Sequence, residues 1–301
     1  MEKASLVRSA PALVVAGLVA AASAAAAEKT PVLVSAQWLA SHRTDPGLVI
    51  LHVVTSDTAP KLLVPGARVL DTRAISAERG GIPVEMRPVA EIVEAFETAG
   101  VSNDKHVVVY GEGPPYAAAR VFVTLDYLGH GDRTSLLDGG LDAWKAAGQE
   151  LAAQPAAAAR GKFAAKPRED MLVSADSIAA RLNDPKLVLI DARTAAEYTG
   201  ERKIGPRGGH LPGAYHLYYQ DLLLSQDEPR LKDVAYVKER FAESGATKDS
   251  AVVSYCQVGM RASYTYVISR HLGYDAKLYD PSWAEWASRQ DLPVTQGSSR
   301  R

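Results

Sequence analysis

Cys256 is the only cysteine in a chain of 301 residues. It sits in SYCQVGMRASY, Ser254 to Tyr264, which ends a β-branched run and leads through a glycine to Arg261. The residues before it, Ala251 to Tyr255, read as a strand, and Arg261 to Leu272, closed by Gly273, as a helix. The loop CQVGM therefore joins the C-terminal end of a strand to the N-terminus of a helix, the place where open α/β sheets bind their ligands. There the amides of Gln257, Val258, Gly259 and Met260 can curl around the sulfur. Gly259 permits a positive φ, and the helix adds its positive end. Together with Arg261 these groups favour a thiolate, the form in which cysteine is a nucleophile. A buried inert thiol is the alternative for any single cysteine, but here each neighbour supports an anion cradle.

The elements that hold this loop occur twice. VLVSAQWLA (Val32 to Ala40) answers MLVSADSIA (Met171 to Ala179), and LVILHV (Leu48 to Val53) answers LVLIDA (Leu187 to Ala192). VPGA (Val64 to Ala67) answers LPGA (Leu211 to Ala214), and HVVVYG (His106 to Gly111) answers AVVSYC (Ala251 to Cys256). Asp280 follows Asp138, and Trp286 follows Trp144, by the same 142 residues. So long a period denotes duplicated domains rather than a solenoid. The Ala-rich stretch Leu151 to Asp170, with Pro155 and Pro167, has no apolar periodicity and reads as a linker. The expected division is a domain over residues 30–152, a linker over 153–167 and a second domain over 168–297.

In the second copy the pattern predicts a helix capped by Ser174 and running through Leu182, a strand Leu187 to Ile190, and a helix Val234 to Glu243. After the loop come a strand Lys277 to Tyr279 and a helix Ser282 to Arg289. Such alternation predicts an α/β fold, each copy a mostly parallel sheet flanked by helices on both faces.

With 47% hydrophobic and 23% charged residues the chain has the composition of a globular protein, and 34 Lys+Arg against 35 Asp+Glu leave a net charge of −1. No basic run could track a phosphate backbone, so nucleic acid is not an expected partner. Lys3 and Arg8, the apolar stretch around Leu13 to Val19, and small residues offering cleavage after Ala24 or Ala27 match a secretory signal over residues 1–27. Pro11, Gly17 and the many alanines argue against a retained membrane anchor. The expected location is outside the cytoplasm, in the periplasm. A lone Cys256 in an oxidising compartment has no partner for an internal disulfide, which again favours chemistry that needs one thiol.

The segments LIDARTAAEYTG (Leu189 to Gly200), GHLPGA (Gly209 to Ala214), YCQVGMR (Tyr255 to Arg261) and YDPSWAEW (Tyr279 to Trp286) resemble the tandem-domain rhodaneses, sulfurtransferases that carry sulfur as a cysteine persulfide. The resemblance spans both copies. It implies two rhodanese-like domains, each with a five-stranded parallel sheet, and a catalytic Cys256 in the second. Thiosulfate, a small anion, is the expected donor; a thiol or cyanide is the acceptor, and no cofactor or metal is required. Catalysis is expected from Cys256 and Arg261, and substrate binding from Arg193 and the loop residues Gln257 to Met260, with Asp191 orienting Arg193. The first copy carries Gly111 in place of the cysteine and His52 in place of Asp191, so it is expected to pack and shape the cleft. His52 reads best as a strand-end histidine satisfied by backbone, and His210 as a loop-fixing hydrogen bonder. Glu197 stands where animal members have a substrate-binding arginine, so their anion contacts do not carry over.

Three other functions share these residues. A 3-mercaptopyruvate sulfurtransferase would use the same thiol, although Cys-Gln-Val-Gly matches neither the Cys-Arg-Lys-Gly of animal thiosulfate enzymes nor the Cys-Gly-Ser-Gly of mercaptopyruvate enzymes. A sulfur carrier would load Cys256 without turnover. Rhodanese-related phosphatases and arsenate reductases have Cys-x5-Arg, whereas this loop is Cys-x4-Arg and leaves less room for a tetrahedral oxyanion.

Overall fold

A computed structural model describes Met1, residues 30–56 and residues 59–300. Apart from Met1, the expected signal over residues 1–27 lies outside the described residues. No helix among those described is long and apolar enough to cross a membrane.

The first copy runs β1 (Leu33–Val34), α1 (Ala36–His42), β2 (Leu48–Val54), β3 (Arg68–Asp71), β4 (Ser76–Arg79), β5 (Ile82–Met86), α2 (Val89–Thr98), β6 (His106–Tyr110), α3 (Tyr116–Tyr127), β7 (Thr134–Leu137) and α4 (Gly140–Ala146). The second runs α5 (Ala175–Ala179), β8 (Leu187–Asp191), α6 (Ala195–Thr199), β9 (Tyr215–His216), α7 (Val234–Glu243), β10 (Ala251–Tyr255), α8 (Met260–His271), β11 (Asp275–Leu278) and α9 (Ser282–Ser288). Parallel sheets ordered β1-β7-β6-β2-β3 and β11-β10-β8-β9 share one topology. The fifth strand implied for the second sheet shrinks to a single parallel bridge, Leu172 to Leu278. The helix expected from Ser174 through Leu182 stops at Ala179, where Arg181 N bonds back to Ile178 O in a tighter turn ahead of Asp184 and Pro185.

Alternation along the strands sorts side chains between two faces of each sheet. In the first domain Ile50 and Val108 face α1 and α4, while Val49, Leu51, Val107 and Val109 face α2 and α3. In the second, Leu189, Val253 and Tyr255 face α5, α6 and α9, while Val188, Ile190, Val252 and Cys256 face α7 and α8. The α3 and α8 sides belong to one continuous core shared by both domains. Both helices are therefore buried almost all round. Two of their hydroxyls bond back to the preceding turn, Thr124 to Arg120 O and Ser263 to Gly259 O, both at 2.9 Å.

Local devices recur at matching places. Tyr110 Oη accepts the amide of Val64 (2.9 Å) as Tyr255 Oη accepts that of Leu211 (3.2 Å), which ties the two Pro-Gly-Ala turns to the central strands. Trp144 and Trp286 donate their indole N–H to Glu150 O (2.7 Å) and Pro293 O (2.8 Å). The copies also differ: in the first, β4 and β5 form an antiparallel hairpin through Gly80 and Gly81, both at positive φ, as a two-residue hairpin turn requires. The linker is strapped to the first domain. Ala156 N bonds Ala67 O (2.8 Å), Gly161 N bonds Glu97 O (2.7 Å), and Phe163 is buried against Phe96 and His130.

Asp126 fastens the domains to each other. Its carboxylate, 1% exposed, accepts from Arg168 (2.6 Å), Tyr266 Oη (2.7 Å) and Arg270 (2.9 and 2.6 Å). Asp126→Ala would leave two guanidinium groups without their shared buried anion. The expected loss is about 3–5 kcal/mol in urea unfolding, the scale for breaking a buried ion pair from one side; a loss below about 1 kcal/mol would refute this role.

Candidate active site

Cys256 is the first residue beyond β10 and is 1% exposed. The next turn leads to Gly259, which caps α8 at φ 80, the left-handed conformation expected of it. Ser282 holds this turn from below. Its Oγ accepts the amides of Cys256 and Gly259, each at 3.1 Å, and donates to Tyr279 O at 2.7 Å. Carbonyls are tied back as well: Trp283 N donates to Cys256 O and Ala284 N to Gln257 O, both at 3.0 Å. The amides of Gln257, Val258, Met260 and Arg261 find no acceptor among the described residues. A loop with the carbonyls of Cys256 and Gln257 engaged and these N–H groups unspent is what an anion cradle needs.

Ser282 was not singled out in the sequence, and it is the most informative residue of the site. It is fully buried at φ 56, a region that L side chains rarely occupy. The matching residue of the first domain is Gly140, at φ 55. There Leu141 N donates to Gly111 O (2.9 Å), as Trp283 N does to Cys256 O, so Gly111 occupies the place of Cys256. The copy without a cysteine meets the backbone requirement with glycine. The copy with one carries a strained serine whose hydroxyl holds the loop. Strain kept where chemistry is expected is a functional signature.

Arg261 stands differently from expectation. Its Nη1 and Nη2 each donate at 2.8 Å to Glu197, so its charge is already balanced. Glu197 is the third residue of α6, where it forms a capping box with Thr194. Burial alone would raise the Glu197 carboxyl, but the Arg261 hydrogen bonds and charge, with help from Thr194, bring it down to about 2. Arg261 is raised in turn: burial opposes its charge, and Glu197 followed by Cys256 outweighs that. Glu197 is thus the partner of the loop arginine.

Arg193 is not where a substrate contact would be. It is 1% exposed, grips Asp191 through Nε (3.0 and 3.1 Å) and Nη2 (2.6 Å), and bonds Gly209 O (2.7 Å). Its guanidinium lies 4.6 Å from the Trp283 ring centre, so it braces the ground beneath the loop rather than the mouth. His210 matches its expected part: it is buried, stacked on Tyr198, and bonded to Tyr198 O (2.8 Å) and Ser299 O (3.0 Å), with burial lowering its pKa. His52 meets the Tyr110 hydroxyl (3.1 Å) instead of backbone, and burial takes it down to about 4, so it is neutral. No cluster of potential metal ligands occurs among the described residues.

Ser282→Ala and Ser282→Gly separate hydroxyl from strain. Both should slow loading of Cys256 by about ten-fold or more, the scale of 1.5–3 kcal/mol in a polar contact, while glycine should be the more stable by about 1 kcal/mol because it relieves the positive φ. Equal loading by the alanine variant and the parent would remove Ser282 from the site. A second expectation concerns Glu197, whose carboxyl lies at 4.5 when free and at about 2 in the fold. A depressed carboxyl stabilises the fold fully above pH 4.5 and loses that contribution as pH falls through 2. The stability gap between parent and Glu197→Gln, of order 3 kcal/mol, should be constant from pH 7 to 5 and shrink below 4.5 in urea melts. A gap independent of pH would contradict the pairing.

Comparison with known proteins places these features in context. The family model described as Rhodanese-like domain matches residues 35–147 and again residues 174–289. The chain is 30% identical over 266 residues to a thiosulfate sulfurtransferase of Azotobacter vinelandii, covering 88% of this chain and 97% of that protein. It is 33% identical over 281 residues to a probable 3-mercaptopyruvate sulfurtransferase of Pseudomonas aeruginosa, with 88% and 98% covered. Among solved structures, the anaerobic ergothioneine biosynthesis enzyme of Chlorobium limicola superposes with a TM-score of 0.79 at 22% identity, covering 90% of this chain and 72% of that one, a likeness of fold.

Proposed function

Since the chain belongs to the rhodanese family and is a sulfurtransferase, we propose that its reaction runs through a persulfide on Cys256 with thiosulfate as donor. The observation that carries this reading is the turn itself: one thiol at a strand end, followed by amides with no acceptor among the described residues, and held by Ser282. The thiolate of Cys256 attacks the outer sulfur of thiosulfate, forming the S–S bond of Cys256 persulfide as the sulfur–sulfur bond of the donor breaks. The electron pair leaves with sulfite. Cyanide or a thiolate then takes the outer sulfur and returns Cys256 as thiolate, so no oxidant or cofactor enters the balance.

Donor choice rests on Arg261. Its pairing with Glu197 uses two of the five N–H donors of a guanidinium, which leaves donors for the oxygens of a small oxyanion at the mouth. Because the pair is charge-balanced, the donor is oriented by hydrogen bonds more than by net charge, and the loop amides stabilise the terminal persulfide sulfur. No serine side chain in the loop between Cys256 and Arg261 offers itself to a keto acid carbonyl, which favours thiosulfate over 3-mercaptopyruvate. The four-residue spacing favours sulfur over phosphoryl or arsenate chemistry. The charged, apolar and small-residue order of residues 1–27 supports export to the periplasm.

Mass spectrometry after exposure to each donor checks this. Thiosulfate should add one sulfur to Cys256 faster than 3-mercaptopyruvate does, and cyanide should remove it catalytically. Cys256→Ser should neither load nor turn over. Loading without discharge would make the protein a carrier, faster loading by 3-mercaptopyruvate would reverse the donor assignment, and robust turnover of an aryl phosphate would overturn the reading.

A further inference from the structure

Among the described residues only two non-glycine residues have positive φ, Ser282 at 56 and Val84 at 61. They lie at the two ends of a single chain of contacts that crosses between the domains. Val84, in the β4–β5 hairpin of the first domain, offers its carbonyl to Arg120 Nη2 at 2.8 Å. Arg120, on α3, turns the same guanidinium across the interface and forks onto Asp280, with Nη1 to Oδ1 and Nη2 to Oδ2 at 2.9 Å. Asp280 lies two residues before Ser282 and rests against the turn that follows Cys256. A Cβ on Gly259 would come within 2.4 Å of Asp280 Oδ1, 2.7 Å of its carbonyl and 3.3 Å of Arg120 Nη1.

Arg120 has 0% exposure, and its Nε has no partner among the described residues. A buried ion pair of this kind adds little net stability, because desolvation offsets attraction. Nor is it required to hold the domains together, since Asp126 does that at the opposite end of α3. What distinguishes the Arg120 pair is its place: it bears on the residue that packs against Gly259 and leads into Ser282.

We propose that Arg120, from the domain that lacks a cysteine, is a positioning residue for the Cys256 turn. By fixing Asp280 against Gly259 it sets Ser282 under the amides of Cys256 and Gly259, and so aims the remaining amides at the sulfur. The first domain then contributes to the reaction without touching the donor. This rests on Cys256 as the sulfur-carrying nucleophile.

Arg120→Met with Asp280→Asn removes both charges together and leaves no lone buried ion. Arg120→Lys keeps the charge and loses the fork. The measurement is the single-turnover rate of persulfide formation with thiosulfate, normalised to titratable Cys256 thiol, alongside thermal unfolding. In the double variant the rate at saturating thiosulfate should fall about ten-fold or more, as small misplacements of a reacting group do. The half-saturating concentration should stay within about two-fold, because Arg120 makes no donor contact. Arg120→Lys should recover part of the rate. A double variant that unfolds at lower temperature but loads at the parental rate would reduce the pair to an interface contact, and a change confined to half-saturation would make Arg120 a donor-binding group; either overturns the proposal. Turnover surviving in Cys256→Ser would instead remove the nucleophile on which it rests, a separate failure.

Discussion

Under the proposed reaction the Cys256 sulfur takes part as an anion at a place 1% exposed, with little help from water, so fixed dipoles have to take water's place. Every unusual feature of the second domain answers that constraint. Gly259 turns the chain into α8 through the left-handed region, at φ 80. Ser282 takes up two amide groups from beneath, and with them the freedom of the turn to relax. Trp283 and Ala284 occupy the carbonyls that would otherwise repel an anion. Arg193, buried on Trp283 and locked to Asp191, keeps that floor from shifting. Dipoles stabilise a charge in proportion to how little they must reorganise, and a turn anchored on every side reorganises least.

The duplicated fold shows what that constraint costs by displaying the same turn without it. Gly111 and Gly140 in the first domain stand where Cys256 and Ser282 stand in the second. With no anion to hold, the backbone bond between the turns persists and the side chains disappear. The charged pairs divide similarly. Asp138 in the first domain accepts the amide of Leu231 from the second (2.8 Å), while Asp280 in the second receives Arg120 from the first. Each domain thus closes the other's turn, but only one closure uses a guanidinium and bears on a reactive residue. The shared core along α3 and α8 keeps the two halves from being independent modules.

Which of this could be read in advance follows from contact distance along the chain. The strand, loop and helix around Cys256, and the left-handed Gly259, are local, and their residue types state their purpose. β10 begins and ends at the residues expected from its pattern, as does α7. Partners far apart in sequence were hidden: Glu197 for Arg261, Ser282 for the cysteine turn, Arg120 for Asp280. Asp-x-Arg reads as an orienting pair that offers Arg193 to the substrate; it is such a pair, but a buried one. The repeat did contain a usable clue. Aligning Asp138-Gly139-Gly140 with Asp280-Pro281-Ser282 sets a serine opposite a glycine, and a glycine in one copy signals a positive φ in the other. The Arg-Gly-Gly-Ile sequence, Arg79 to Ile82, likewise carries a hairpin signal, in a part of the first copy that the repeat does not cover.

Glu197 changes how specificity must work here. With an arginine at that position the mouth would carry two cations and select donors by net charge, an attraction that salt screens and that any dianion enjoys. With glutamate there, the 2.8 Å fork immobilises Arg261 and cancels its charge. What remains is directional: the N–H donors of Arg261 that Glu197 does not use, and the loop amides that have no acceptor among the described residues. With thiosulfate as the proposed donor, such a site would release the sulfite anion more easily than a doubly cationic one would, because no unbalanced field retains it. A balanced mouth therefore trades donor affinity for product release, and places the burden of accuracy on the geometry of the turn that Ser282 holds.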